Sequence, residues 1–336
     1  MRRLSGVFSV AITLLFAGVS TSARTEDLQR AAYAVSVQSD VVYGSGIVGA
    51  SSSKPHARDL RMDVYRPTAG GKPLTGRPAV ILAFGGGLHR GSKGQDRYEE
   101  DGASDTPMGE YCRAFAAAGY VCSSIEYRLV PEDPAPSGNV DMTNMLPKAM
   151  LVEPGITVRI NQVRGWMGLP PLDDTSREQL FNTMITAAED FETAVTFVRT
   201  NAEKLGVDPE RVALGGFSAG GSAAINAAYG KGVPVQAVFS LSGPMGGYDL
   251  RKTVRPGMPP FLLVVGQTDL EGVRASAPKV LTLLEKAGIE NEGVWVPGFG
   301  HFYPMGATTL GTDFSKQTLE RRLLMFLERT IGRPRS

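Results

Sequence analysis

From residue 41 onward, short apolar runs alternate with segments whose apolar residues recur every three or four positions. Runs of the first kind predict strands and segments of the second kind amphipathic helices. Residues 41–48 and 60–65 read as an early strand pair, the second halted by Arg66-Pro67. Residues 79–84 are a compact apolar run opening into Gly85-Gly86-Gly87, as a buried strand does when it runs into a loop. A helix is predicted over 110–118, closed by Gly119, and a strand over 121–127. Phe181, Met184, Ala188, Phe191, Val195 and Val198 share one helical face, with Gly206 and Pro209 as stops. The pattern then gives a strand at 211–214, a small-residue helix at 218–229 and strands at 235–241 and 261–265. A helix at 273–287 with Gly288 as C-cap, a strand at 293–296 and an amphipathic helix at 314–330 complete it. Such alternation predicts an α/β fold, a mostly parallel central sheet with helices on both faces.

Residues 129–175 break this rhythm. They are rich in Pro, Gly, Asn and Met, show no clean period, and are too long for an ordinary connection. About 131–175 is therefore read as an insertion, a lid or cap over the site. Trp166 and Met167 within it either line a substrate pocket or pack the segment onto the body. With no internal repeat and no linker, one domain over 24–336 carrying an insertion fits better than two domains.

Composition narrows the class. Apolar residues make up 42% and charged residues 21%, enough for a buried core without a disulfide scaffold. The 35 basic and 34 acidic residues give a formal charge of +1, which gives no support to binding of nucleic acid or an anionic membrane surface, both of which want a net basic face. Arg2 and Arg3, the apolar stretch 7–19 and Thr21-Ser22-Ala23 read as a secretory signal over 1–23, so an exported chain, periplasmic or secreted, is expected. That apolar stretch is too short to cross a membrane comfortably, and no later segment would span one. Cys112 and Cys122 either pair or remain small buried thiols; spacing alone leaves both open. No Cys/His spacing suggests a metal.

The chemistry gathers in three places. Gly216-Phe217-Ser218-Ala219-Gly220 lies between an apolar strand and a small-residue helix. A sharp turn there would project the Ser218 hydroxyl, with glycines at 216 and 220 because side chains would strike neighbouring backbone. It would also set the Ala219 amide at a helix N-terminus, aimed at a developing oxyanion. A serine nucleophile needs a base and the base an orienting carboxylate. Only three histidines are present, and His301 alone sits in a loop just past a late strand. Asp269, past the strand 261–265, is the matching carboxylate; its other reading is a helix N-cap. Gly86 and Gly87 offer further oxyanion donors, while Leu88, His89 and Phe217 are placed beside substrate. Arg159 and Arg164 either receive an acidic acyl group or are ordinary solvated residues, and His56 is read as surface.

Together these residues resemble the esterase and lipase members of the α/β-hydrolase superfamily, nearest the carboxylesterases with a His-Gly-Gly-Gly oxyanion loop. The order Ser218, Asp269, His301 is the one that fold uses. Met62-Asp63-Val64-Tyr65-Arg66-Pro67 and Glu126-Tyr127-Arg128-Leu129 echo the same families. Two departures stand out: Phe84 replaces the loop histidine, and Leu88 a frequent tryptophan. The resemblance implies hydrolysis of a small-molecule or oligomer ester through an acyl-enzyme, with no cofactor. A serine peptidase or amidase of the same fold and a catalytically dead binding scaffold are the alternatives.

Overall fold

The computed structural model describes residues 32–334 apart from Asn139; the expected signal segment lies outside this range. In chain order the principal strands are β1 (Ala34–Val48), β2 (His56–Ala69), β3 (Arg77–Ala83), β4 (Val121–Ile125) and β5 (Val207–Gly216). They continue with β6 (Ala237–Leu241), β7 (Phe261–Gly266), β8 (Asn291–Val296), β9 (Thr308–Gly311) and β10 (Lys316–Thr318). The main helices are α1 (Met108–Ala117), α2 (Pro154–Trp166), α3 (Asp174–Thr200), α4 (Ala219–Ile225), α5 (Glu271–Lys286) and α6 (Leu319–Ile331).

These strands, with the two-residue strand Lys72–Pro73 beside β2, form one sheet in the order β1-β2-β4-β3-β5-β6-β7-β8-β9-β10. The stretch from β4 to β8 is parallel throughout, and antiparallel pairs flank it at both ends. Every residue of β3, β4, β6 and β7 is buried, which is why they read as unbroken apolar runs instead of alternating ones. β1 is different: its side chains alternate, and Val37, Val42 and Ile47 face solvent at the sheet edge. After β3 the chain moves to β4 on one side and returns to β5 on the other. The carboxyl ends of β3 and β5 therefore frame a crevice where the strand order reverses.

The 27-residue helix α3 buries Phe181, Ala188, Phe191, Val195 and Val198, with Met184 half-buried on the same face. It starts on a capping box in which Asp173 and Ser176 satisfy each other's backbone N–H groups. It ends at Thr200; a single turn, Ala202–Leu205, follows and closes on left-handed Gly206. The stretch 129–175, read from the sequence as an insertion, is not shapeless. It holds three short 3-10 turns and α2, whose mixed sequence, with Gly155, Arg159 and Gly165, blurs its apolar face.

Three other boundaries are corrected. The final helix begins at Leu319, not at 314, because 308–318 form the β9–β10 hairpin. Phe314 sits near its tip, 82% exposed with φ +61°, outside any helix. The helix after Ser218 stops at Ile225 and passes into a wider π-type turn, Asn226–Lys231, closed by left-handed Gly232. The strand expected over 121–127 ends at Ile125, leaving Glu126-Tyr127-Arg128 to begin the insertion.

Arg128 pins that start. Its guanidinium, 4% exposed as a residue, pairs with Asp190 at 2.7 Å and Glu189 at 3.2 Å, both on α3. Glu189 also accepts from the backbone N–H and hydroxyl of Ser137. Cys112 on α1 and Cys122 on β4 form a disulfide, their Cα atoms 4.9 Å apart, which settles the alternative that spacing left open.

Candidate active site

Ser218 stands at the end of β5 with φ 52° and ψ −115°, a strained conformation for a residue with a side chain. Its N–H donates to the Leu241 carbonyl at 2.7 Å, fixing the turn against β6. The flanking glycines are obligatory on steric grounds. A Cβ at Gly220 would lie 2.1 Å from the Ala83 carbonyl oxygen, and one at Gly216 2.5 Å from the Gly220 carbonyl carbon. Backbone from β3, β5 and α4 thus converges where side chains are missing, and the Ser218 hydroxyl is forced out over the sheet edge.

The structure brings Ser218, His301 and Asp269 into one hydrogen-bonded chain. His301 Nε2 lies 2.9 Å from Ser218 Oγ, and His301 Nδ1 2.7 Å from Asp269 Oδ1. Asp269 is 2% exposed and does not cap α5. Its Oδ1 also accepts from the Leu270 N–H, and its Oδ2 accepts from the Gly266 N–H and the Ser242 hydroxyl. Ser242, in the left-handed region at the end of β6, contacts the Tyr303 hydroxyl at 2.8 Å. Burial holds the Tyr303 phenol well above its ordinary range, so it stays neutral as a hydrogen-bonding partner. Ser242 and Tyr303 escaped the sequence reading. Ser242 had a usable signal, since it follows an apolar strand just as Asp269 does; Tyr303, two residues past His301, had none.

Around the imidazole, Phe217, Phe302 and Tyr303 form a wall. The Phe217 and Phe302 rings lie 5.3 and 5.1 Å from the His301 ring. Phe217, 2% exposed, packs against the His301 ring and does not line the cleft, which corrects its assignment as a substrate contact.

Gly86 and Gly87 line the cleft beside Ser218 and His301. Among the described residues, no protein acceptor takes the backbone N–H of Gly86, Gly87 or Ala219. Three backbone donors near the hydroxyl are thus left for an oxyanion. Gly86 has φ +107°, and a Cβ there would lie 2.0 Å from the Arg90 carbonyl oxygen, so the loop folds back only through glycine. The His89 and Arg90 N–H groups donate to the Gly86 carbonyl and close the turn.

Without the loop histidine of the resembled families, other side chains hold this turn. The Tyr127 hydroxyl donates to the Phe84 carbonyl at 2.9 Å, and the two rings stack at 4.6 Å. His89 is 1% exposed and cannot be a substrate contact. Its Nδ1 lies 2.7 Å from the Gly87 carbonyl, and its Nε2 lies 3.2 Å from Arg164 Nη1 on α2. Nδ1 therefore donates, while Nε2 accepts. Desolvation, with the Arg164 charge adding to it, lowers the His89 pKa to about 4, so the imidazole is neutral at pH 7. Arg164 is buried, donates to the Pro170 carbonyl, and is neither solvated nor at the cleft. Leu88, 8% exposed with φ +63°, also packs inward.

The cleft holds about 310 Å³ of empty space, part of it open to solvent. Beyond the glycines, Ser218, His301 and Phe302, its walls are Arg90, Tyr98, Arg159 and Val163. The insertion therefore reaches the site through α2, but by Arg159 and Val163 instead of Trp166 and Met167. Trp166 is 48% exposed and packs against both arginines, while Met167 lies half-buried at the end of α2. Asp105, 5% exposed, accepts from the Tyr98 N–H; burial raises its pKa to about 6. His56 is exposed. Among the described residues no cluster of His, Cys, Asp and Glu could hold a metal ion, and no helix is long and apolar enough to cross a membrane.

A family model described as BD-FAE, of α/β-hydrolase type, matches residues 176–242, from the start of α3 to Ser242. No curated protein matches the sequence significantly. Solved structures of an esterase from the planctomycete Thermogutta terrifontis are similar. The propionate-bound form is 20% identical with a TM-score of 0.50, covering 81% of this chain and 86% of that one. The form phosphoramylated by tabun is 19% identical with a TM-score of 0.52, covering 88% and 92%. This likeness, with the strand order above, shows that the chain has the α/β-hydrolase fold.

Proposed function

We propose that this α/β-hydrolase is a serine hydrolase of carboxylic esters, working through an acyl-enzyme. The observation that carries the reading is the Ser218–His301–Asp269 hydrogen-bonded chain, set beside three backbone N–H groups with no protein acceptor. As the Ser218 oxygen attacks the ester carbonyl, His301 Nε2 takes the hydroxyl proton. Asp269, held by two backbone amides and Ser242, keeps Nδ1 protonated and offsets the imidazolium charge. The tetrahedral oxyanion rests on the Gly86, Gly87 and Ala219 amides. His301 then returns the proton to the leaving alcohol, and water repeats the sequence to free the acid. The Thermogutta esterase that tabun and cyclosarin modify has the same fold, which agrees with an activated serine here.

Hydrolysis of p-nitrophenyl acetate, butyrate and octanoate by the wild-type protein and Ser218→Ala is the test. The expected loss in the variant is at least about a thousandfold. Undiminished turnover in Ser218→Ala would overturn the assignment. Absence of activity together with absence of fluorophosphonate labelling would leave a binding scaffold in its place. A matched p-nitroanilide separates an amidase from an esterase.

We also propose that the chain is exported. The signal-like segment is one support, and the Cys112–Cys122 disulfide, a bond of oxidising compartments, is a second.

A further inference from the structure

Two guanidinium groups stand in the wall of the Ser218 cleft, those of Arg90 and Arg159. Their settings differ. Arg159 Nη1 is paired with Glu100 at 2.8 Å and donates to the Gln162 side-chain amide oxygen, Oε1, at the same distance. Arg90 has neither an ion pair nor a side-chain hydrogen bond among the described residues, and its Nε is buried with no partner. What holds Arg90 is aromatic: its guanidinium carbon lies 4.6 Å from the Tyr98 ring centroid and 4.9 Å from that of Trp166. The same indole lies 5.0 Å from the Arg159 guanidinium, which also faces Phe302.

Aromatic faces fix a guanidinium in place without neutralising it. Glu100 offsets the Arg159 charge, whereas no carboxylate is paired with Arg90, so the cleft wall keeps one unpaired cation in a partly desolvated setting. A buried donor without an acceptor costs free energy until a ligand supplies one. Arginine presents a planar fork that fits a carboxylate through two parallel hydrogen bonds.

Building on the esterase reading, we infer that the preferred substrate is an ester that itself bears a carboxylate, which Arg90 receives while Ser218 attacks the ester carbon. Arg159 adds its field from α2 and is a secondary determinant. The anion sits either on the acyl part or on the alcohol part of the ester. Both place the same chemistry in the same cleft.

Paired substrates test this. Mono-p-nitrophenyl succinate against p-nitrophenyl butyrate places the charge on the acyl side, and 4-acetoxybenzoate against 4-acetoxybenzamide places it on the alcohol side. In one pair the anionic ester is expected to have a kcat/KM about tenfold or more above its neutral partner. Arg90→Gln should abolish that ratio, Arg159→Gln should reduce it, and Arg90→Lys should retain part of it. The preference should also shrink as salt rises. Neutral esters turned over with no anionic preference in either pair, or a preference unchanged in both Gln variants, would overturn the inference and leave the esterase intact. If no ester is turned over, the esterase reading fails. Calorimetric titration of succinate and benzoate into the wild-type protein then decides the arginine site, with binding lost in Arg90→Gln expected and no heat in the wild type overturning it.

Discussion

Asp269 shows how much structure stands behind the three residues of the proposed catalytic chain. A carboxylate 2% exposed would be costly with His301 as its sole partner. Here each oxygen has other donors, two from backbone and one from Ser242, which Tyr303 braces in turn. Ser242→Ala removes one donor from Oδ2 and leaves the Gly266 N–H alone there. A loss of about tenfold in kcat with KM little changed is expected, as for one hydrogen bond to a charged group; steady-state kinetics on p-nitrophenyl acetate measure it. A fall in KM affinity without a fall in kcat would place Ser242 in substrate binding instead. At this scale the sequence was most informative about reactive groups, because few residues compete: three histidines, one of them in a loop past a late strand. It was least informative about Arg90 and Tyr98, whose positions in the cleft depend on Trp166, 68 residues beyond Tyr98.

Between the glycine loop after β3 and α2, the joint is a hydrogen bond to a neutral histidine. His89 Nε2 must accept from Arg164, so a protonated ring would set two cations against each other. The His89 pKa is lowered from 6.5 to about 4 in the fold, so the unfolded chain binds the proton first as pH falls. The stabilisation is complete above about pH 6.5 and is lost as pH falls through about 4, amounting to about 3 kcal/mol. His89→Gln should flatten that part of the stability–pH curve, as read by urea unfolding between pH 7 and 4. Equal slopes in the two proteins would show that His89 is not buried neutral. The elements around this joint were unevenly legible. The strands β3, β6 and β7 were plain, since burial on both faces leaves continuous apolar runs. Helix α2 was hidden because only Val163 and Arg164 are buried on it, one of them charged. The last helix was read five residues too early because the short strand β10 has no apolar residue to distinguish it from a polar first turn of α6.

For the molecule as a whole, the order of the strands does what no single element can. The chain reverses direction across the sheet after β3, and the two loops that leave the reversal carry the glycines and the serine. Alternating strands and helices announced this fold class in the sequence, whereas the pairing of Cys112 with Cys122 had to wait for coordinates. That bond joins α1 to β4 across a separation of 10 residues. In the loop-closure account it contributes about 3 kcal/mol. Reduction, or Cys112→Ser with Cys122→Ser, should lower the melting temperature by roughly 5 °C or more while leaving ester turnover at 25 °C close to that of the oxidised protein. An unchanged melting temperature would mean that the two thiols are not paired in solution.

The insertion leaves the body at Arg128, which is bound to Asp190 and Glu189, and rejoins it at the capped first turn of α3. Both of its ends are thus held by one helix, and midway the Leu146 N–H donates to the Gly247 carbonyl and the Asp249 N–H to the Asn144 carbonyl. A segment tethered in this way behaves as a cassette. The entropy of closing it grows only slowly with its length, by about 0.6 kcal/mol per doubling. What lies between the anchorages is thus open to exchange in a way that β3 or β7 is not. Grafting a different 138–172 between the same two ends is expected to change substrate range, provided the graft keeps the Arg164 contact to His89 that braces the glycine loop.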